Sequence, residues 1–313
     1  MNTTQRLKID RIKLFLALSR TPHGLLDMAT PAFGALIYVG DFPPVRVILI
    51  GLLTAFAGYT AVYAANDIID YRSDRKRLTH PDAKAAGYMD SLMIRHPMAQ
   101  GLLSFKEGVA WALGWSMVAL VGAWLLHPAC ALIFLSGAAL ETIYCLLWRV
   151  SPLRVVVSGF VKNMGAIAAL FAVDPRPDPG FMLILFLCLF FWEIGGQNIP
   201  HDWSDIEEDR RFDAKTIPVI LGEAKAARLA FGCILIATLL CIQLFYISFP
   251  GSRGPALGAA LAVCTGLLLL PGFKLFQTKR REPAMALFNK ASYFPAALLG
   301  LVLLLLSSYS YSY

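Results

Sequence analysis

Apolar runs of about 20 residues recur from one end of this chain to the other, and each is long enough to cross a hydrocarbon core of about 30 Å as a helix. We place nine such spans at residues 16–39, 45–65, 107–126, 129–148, 153–173, 180–199, 225–248, 255–273 and 287–307. The first is the least regular, because it contains Arg20, Pro22, His23 and Asp27. Only 16% of the residues are charged and 57% are hydrophobic, against about 25% charged in a soluble protein. The mean hydropathy of +0.60 agrees. The expectation is an all-α, polytopic membrane helical bundle with no soluble domain, residues 1–313 forming a single unit. Basic residues Arg6, Lys8, Arg11 and Lys13 open the chain. The apolar stretch after them is long and lacks a small-residue cleavage site, so no cleavable leader is expected. All six cysteines fall inside apolar segments without a Cys-x-x-Cys pair, as small buried hydrophobes do.

The loops orient the bundle. With the N-terminus on the cytoplasmic side, 24 of the 28 Lys and Arg residues fall on that side, as the positive-inside rule requires. The net charge of +7 is therefore accounted for by membrane topology, and no nucleic-acid partner is implied. The same assignment puts two acidic clusters on one face. Asn66-Asp67-Ile68-Ile69-Asp70-Tyr71-Arg72-Ser73-Asp74 follows span 2, and Asp202-Trp203-Ser204-Asp205-Ile206-Glu207-Glu208-Asp209 follows span 6. An acidic loop repeated four spans later suggests duplication of a helical unit.

Carboxylates are costly near a bilayer, so the spacing of these clusters matters. Residues three and four apart share a helix face. Asn66, Asp70 and Asp74 fall on such a stripe, as do Asp67, Asp70 and Asp74, and Asp202, Asp205 and Asp209. Like charges on one stripe repel unless a cation intervenes, and oxygen ligands suit Mg²⁺, which completes its shell with water and phosphate. Two facing stripes imply Mg²⁺ ions with a diphosphate between them. The competing reading is a pair of solvated loops whose acids pair with Arg72, Arg75, Lys76, Arg77, Arg210 and Arg211.

Asn66-Asp67-x-x-Asp70-x-x-x-Asp74 and Asp202-x-x-Asp205-x-x-x-Asp209 resemble the motifs of the UbiA superfamily of intramembrane prenyltransferases. Asp213-Ala214-Lys215-Thr216-Ile217-Pro218-Val219 is similar to that family's stretch after its second motif. Softer likenesses are Arg20-Thr21-Pro22-His23-Gly24, Pro97-Met98-Ala99-Gln100-Gly101, and Tyr144 followed by Arg149. The resemblance implies about nine transmembrane helices around a central cavity, capped by two cytoplasmic Asp-rich loops, with the prenyl tail in an apolar tunnel. It implies that Asn66, Asp67, Asp70, Asp74, Asp202, Asp205 and Asp209 hold Mg²⁺. Asp70, Asp74, Asp202 and Asp205 would serve the ionisation directly. Asn66, Arg20, Arg149 and Lys215 would bind the diphosphate, and Tyr63 and Tyr144 would line the cavity. The implied activity is Mg²⁺-dependent transfer from a polyprenyl diphosphate to an acceptor, an aromatic ring, within membrane lipid. The alternative is a UbiA-type terpene cyclase that ionises the same donor without an acceptor, and its pocket would be closed, aromatic-lined and free of an acceptor base. A cation transporter is disfavoured, because its site would lie near the midplane in broken helices.

Several residues fall outside the motifs. The family's Arg-Pro comes soon after the first motif, whereas here Arg95-His96-Pro97 follows a longer stretch, 75–94, that reads as a lid or an insertion. Asp27, Glu141, Lys162 and Glu193 are charges inside spans and hence functional candidates. Glu193 and Lys162 are a candidate buried pair. Phe191 and Trp192, like the two tyrosines, are candidates to face a carbocation. His201, beside the second cluster, is a candidate to deprotonate an acceptor.

Overall fold

The computed structural model describes residues 11–78 and 94–310. The stretch 79–93, which is most of the insertion after the first acidic motif, lies outside the described residues, as do Arg6 and Lys8. Among the described residues the regular structure is helical. Eight helical segments are long and apolar enough to cross a bilayer: Val45–Ile69, Phe105–Leu126, Pro128–Arg149, Arg154–Val173, Pro179–Ser204, Glu223–Ser248, Arg253–Thr278 and Arg281–Ser308.

The expected first span is not one helix. It is divided into α1 (Arg11–Leu18), α2 (Thr21–Asp27) and α3 (Ala29–Val39). Arg20 separates α1 from α2 with a left-handed backbone, φ 44° and ψ 45°, and Pro22 sits in the first turn of α2. The Thr21 hydroxyl donates to the Leu16 carbonyl at 3.0 Å and fixes the turn. At 1.5 Å per residue α3 spans about 16 Å, half a hydrocarbon core.

The remaining elements are α4 (Val45–Ile69), α5 (Tyr71–Leu78), α6 (Phe105–Leu126), α7 (Pro128–Leu146), α8 (Arg154–Val173), α9 (Pro179–Trp192), α10 (Ile199–Ser204), α11 (Ile206–Arg211), α12 (Ile217–Leu221), α13 (Glu223–Ser248), α14 (Arg253–Cys264), α15 (Leu270–Thr278), α16 (Arg281–Ser292) and α17 (Phe294–Ser310). Each long helix packs on the next, and α17 returns to α3, so the bundle closes into a ring. Phe33 and Ile37 of α3, Leu170 of α8, Leu185 and Leu189 of α9, Ile234 and Leu244 of α13, and Phe294 and Leu298 of α17 fill the core. Leu49, Leu113, Trp124, Leu132, Leu239 and Leu304 are exposed, as expected of a face that meets lipid. All six cysteines are buried and free.

Two local devices shape the half of the bundle that carries the acidic motifs. Ser104 and Glu107 form a capping box at the start of α6, and Arg11 pairs with Glu107, tying α1 to that end. Between α9 and α10 the helix widens into a π segment, Glu193–Asn198, a feature often found at functional sites. Gly195 makes it possible. A Cβ there would lie 2.5 Å from the Ala230 carbonyl oxygen and 2.8 Å from Cys233 Cβ, so the backbone rests directly on α13. Trp192 donates to the Ala291 carbonyl at 3.0 Å and Gln197 to the Phe288 carbonyl at 3.1 Å, anchoring the other side to α16.

Candidate active site

Both acidic motifs break a helix at their middle aspartate. Asn66 and Asp67 lie in the last turn of α4, Asp70 is the joint, and Asp74 lies in the first turn of α5. Asp202 lies in α10, Asp205 is the joint, and Asp209 lies in α11. The two walls face one cavity of about 320 Å³, lined by Asn66, Asp67, Asp70, Asp74, Asp202, Asp205 and Asp209 together with Arg20, Tyr63 and Tyr144. The solvated-loop reading fails on burial: Asp67, Asp74, Asp202 and Asp209 are each at most 4% exposed.

The first wall is held by cations from distant parts of the chain. Arg20 reaches Asp67 Oδ1 at 3.3 Å. His96 Nδ1 lies 3.1 Å from Asp67 Oδ1 and 2.9 Å from Asp74 Oδ2, while its Nε2 faces Arg95 Nε at 3.1 Å. Burial works against charging the imidazole, but its bonds to Asp67 and Asp74 prevail and raise its pKa above the ordinary value. Arg20 and His96 both have positive φ, 44° and 52°. A non-glycine residue held there costs of order 1–3 kcal/mol, and both sites of strain serve one carboxylate. Asn66 donates its amide to Glu141 Oε1 at 2.8 Å.

The second wall is met by Arg154, whose Nη1 lies 4.0 Å from Asp202 Oδ1 and whose guanidinium stacks 4.2 Å above the Tyr144 ring. Asp202 Oδ2 is buried without a hydrogen-bond partner. Asp209 accepts from the Thr216 hydroxyl at 3.0 Å.

Arg149 and Lys215, expected to bind the diphosphate, are exposed and absent from the lining. Arg149 ends a 3₁₀ turn, Leu147–Arg149, and stacks on Trp148 at 5.2 Å. The Lys215 amide donates to the Trp148 carbonyl at 2.8 Å, which leaves Thr216 rather than Lys215 facing inward. Arg154 and Arg95 line the cavity instead. A signal for Arg154 was available, since a cation in the first turn of a helix opposes the helix dipole and calls for an anionic partner. Phe191 and Trp192 belong to the packed core and its margin rather than the cavity. His201 lines the cavity and packs against Phe288 at 5.2 Å.

Lys162 and Glu193 are not the ion pair expected. Lys162 Nζ binds both oxygens of Asp27, at 2.8 and 2.7 Å, and Tyr63 also donates to Asp27. Glu193 Oε1 accepts from the Ser158 hydroxyl at 2.6 Å. Arg154, Ser158 and Lys162 thus descend one face of α8 at four-residue intervals, all lining the cavity. Eight residues of helix carry this polar ladder about 12 Å inward from the second wall. The floor of the cavity is therefore polar.

Residues 28–294 match the UbiA prenyltransferase family. The chain belongs to that family. It is a multi-pass membrane prenyltransferase. It is 23% identical over 274 residues to a digeranylgeranylglyceryl phosphate synthase of Thermococcus kodakarensis, covering 87% of this chain and 90% of the relative. It is 23% identical over 273 residues to a 4-hydroxybenzoate octaprenyltransferase of Shewanella woodyi, covering 86% and 87%. Among solved structures, an apo UbiA homologue from Aeropyrum pernix superposes with a TM-score of 0.73 at 19% identity, over 91% of this chain and 98% of the other. A UbiA homologue from Archaeoglobus fulgidus, bound to DMAPP and Mg²⁺, superposes with a TM-score of 0.65 at 18% identity, over 92% and 98%. These likenesses establish the fold, and the family supplies the class of enzyme.

The donor set suits a divalent cation. Asp67, Asp74 and His96 each bring one ligand atom within 4.8 Å of the others. Across the cavity, the unpartnered Asp202 Oδ2 asks for positive charge.

Proposed function

We propose that this UbiA-family enzyme uses Mg²⁺ to ionise an allylic polyprenyl diphosphate and transfers the prenyl group to an aromatic acceptor. The observation that carries the reading is the convergence of both Asp stripes, with Arg20, Arg95 and Arg154, on one cavity. Its support outside the molecule is the names of the Shewanella and Thermococcus relatives and the DMAPP and Mg²⁺ in the Archaeoglobus homologue. Asn66, Asp67, Asp70, Asp74, Asp202, Asp205 and Asp209 would hold the metal. Bound Mg²⁺ supplies the charge that neutralises the leaving diphosphate.

The chain's own residues do the rest. Arg154 and Arg20 present fixed positive charge to phosphate oxygens at no reorganisation cost when the C1–O bond breaks. Arg154 stacks on one face of Tyr144 and Arg20 stands 5.9 Å over the Tyr63 ring, so the uncovered faces of the two rings are the π surfaces offered to the allylic cation. The ring of helices walls the cavity from the sides, which limits the water that can compete for that cation. The Lys and Arg distribution supports a cytoplasmic cavity mouth.

The polar floor favours a transferase over a cyclase. Asp27, Lys162, Glu193, Gln197 and Asn198 line it, whereas a cyclase pocket should be apolar and aromatic. The test is incubation of the purified protein with Mg²⁺, geranyl diphosphate and aromatic acceptors, followed by mass analysis. Prenylated acceptor is expected. A cyclic hydrocarbon formed without acceptor would replace this reading with the cyclase. No diphosphate release, with Asp70→Ala and Asp202→Ala indistinguishable from the parent, would refute both.

A further inference from the structure

Three polar residues on the cavity floor, Ser158, Glu193 and Asn198, form a site that the ionisation of the donor does not use. Glu193 is 3% exposed and Asn198 is 5% exposed, and both line the cavity. They sit at the two ends of the π segment Glu193–Asn198. Five residues apart on an ordinary α-helix they would diverge by about 140°, whereas the wider π turn returns them to one side. Each is locked by one bond. Ser158 Oγ donates to Glu193 Oε1 at 2.6 Å, and Asn198 Nδ2 donates to the Tyr144 hydroxyl at 3.1 Å. Each then leaves one buried oxygen, Glu193 Oε2 and Asn198 Oδ1, without a hydrogen-bond partner.

Buried acceptors without partners are rare, and each costs roughly 1–3 kcal/mol. Two on one cavity wall ask for a ligand that donates. The donor substrate cannot satisfy them, because an allylic diphosphate ionised at the Asp walls brings phosphate oxygens and hydrocarbon, which carry no N–H or neutral O–H. Their position fits the second substrate. Ser158 lies one turn below Arg154 on α8, and Arg154 bridges Tyr144 and Asp202. The unpartnered oxygens therefore lie about one helical turn, roughly 6 Å, beneath the place where the leaving group is held.

We propose that Glu193 is a catalytic base that binds the hydroxyl group of the acceptor through Oε2 and takes its proton, with Asn198 Oδ1 as the second hydrogen-bond acceptor and Ser158 as the residue that positions the carboxylate. This deepens the transferase reading and rests on it. For an alcohol, the C1–O bond of the donor breaks with its electron pair leaving on diphosphate, the acceptor oxygen forms the new C1–O bond, and the hydroxyl proton passes to Glu193. For a phenol, the hydroxyl proton passes to Glu193, the ortho ring carbon forms the C1–C bond, and the ring proton at that carbon moves to the oxygen and restores aromaticity. Either way one proton remains on Glu193 for each diphosphate released.

The test measures two products at once. Purified parent, Glu193→Gln and Ser158→Ala are supplied with Mg²⁺ and geranyl diphosphate. Separate arms add 4-hydroxybenzoate, a prenylated glyceryl phosphate with a free hydroxyl, and the O-methyl ether of each. Diphosphate release and prenyl transfer are both followed. The parent should transfer to a free-hydroxyl acceptor and not to its ether, and which arm succeeds distinguishes phenol from alcohol. Glu193→Gln keeps the volume and the Ser158 bond. It should lose transfer by about 100-fold or more, the usual worth of a general base, while still releasing diphosphate and making geraniol by water capture. Ser158→Ala should shift the same ratio in the same direction by less.

Transfer by Glu193→Gln at the parental rate overturns the proposal. So does an equal loss of release and transfer in both variants, or a parent that releases diphosphate yet transfers to no free-hydroxyl acceptor. A parent that releases no diphosphate from the donor is a failure of the transferase reading itself, and is distinguishable from the others.

Discussion

In the first acidic wall Asp70 joins α4 to α5, and in the second Asp205 joins α10 to α11. The same hinge, with carboxylates three and four residues to either side, is used twice. The surroundings differ. Asp67 has Arg20 at 3.3 Å and His96 at 3.1 Å, and Asp74 has His96 at 2.9 Å. Asp202 has Arg154 no nearer than 4.0 Å, and one of its oxygens has no partner. Much of the charge of the first wall is already compensated by the fold, at the expense of two strained backbone residues. The second wall keeps a buried demand for positive charge. The comparison teaches that equivalent motifs need not be equivalent ligands, and that the second wall should dominate the response to metal.

The largest effect should therefore come from unequal damage. Asp202→Asn should lower diphosphate release at saturating Mg²⁺ by about 1,000-fold, and Asp67→Asn by about 100-fold, within the range seen for lost electrostatic stabilisation. Side-by-side Mg²⁺ titrations of the two variants provide the check. Equal losses would dissolve the asymmetry. A steeper loss at Asp67 would reverse it.

The second prediction tests which cation serves the second wall. Arg154→Met should reduce kcat by about 100-fold, because it removes a buried charge beside the leaving group and uncovers Tyr144. Arg149→Met should change it by less than about twofold, the usual limit of an exposed surface change. The reverse outcome would return the diphosphate role to Arg149.

These two arginines show where the sequence was legible. The spans were readable because the bilayer imposes one length on every crossing helix. The Asp stripes were readable because three- and four-residue spacing survives a change of helix axis at the hinge. Arg149 and Arg154 are only five residues apart, but Arg149 closes a 3₁₀ turn and the Ser151-Pro152-Leu153 corner lies between them, and no periodicity carries a face across such a corner. Glu193 was visible as a charge inside a span, yet its partner was misjudged. The π segment shifts the phase after Trp192, and only the missing Cβ of Gly195 hints at it. The first span was misjudged for a similar reason: hydropathy records apolar length, not the left-handed turn at Arg20. His96 as a bridge between Asp67 and Asp74 depends on a loop closing over 22 residues of chain, which no local pattern encodes.

The smallest effect sharpens the comparison from the first wall's side. With chelator present and no metal bound, His96 contributes stability through a pKa raised by Asp67 and Asp74. A group whose pKa is higher folded than unfolded stabilises fully below its unfolded value, about 6.5 for histidine. That contribution is lost as pH rises through the folded value. Thermal unfolding of the parent in chelator should therefore show Tm falling as pH is raised from below about 6.5 into the alkaline range. His96→Asn should flatten that slope while leaving the rest of the profile in place. The effect is small because the neutral ring gains a bond in exchange, its Nε2 accepting from Arg95 Nε at 3.1 Å. That bond offsets part of what the carboxylates lose when the imidazole gives up its proton. A slope left unchanged by His96→Asn would place its origin in other groups.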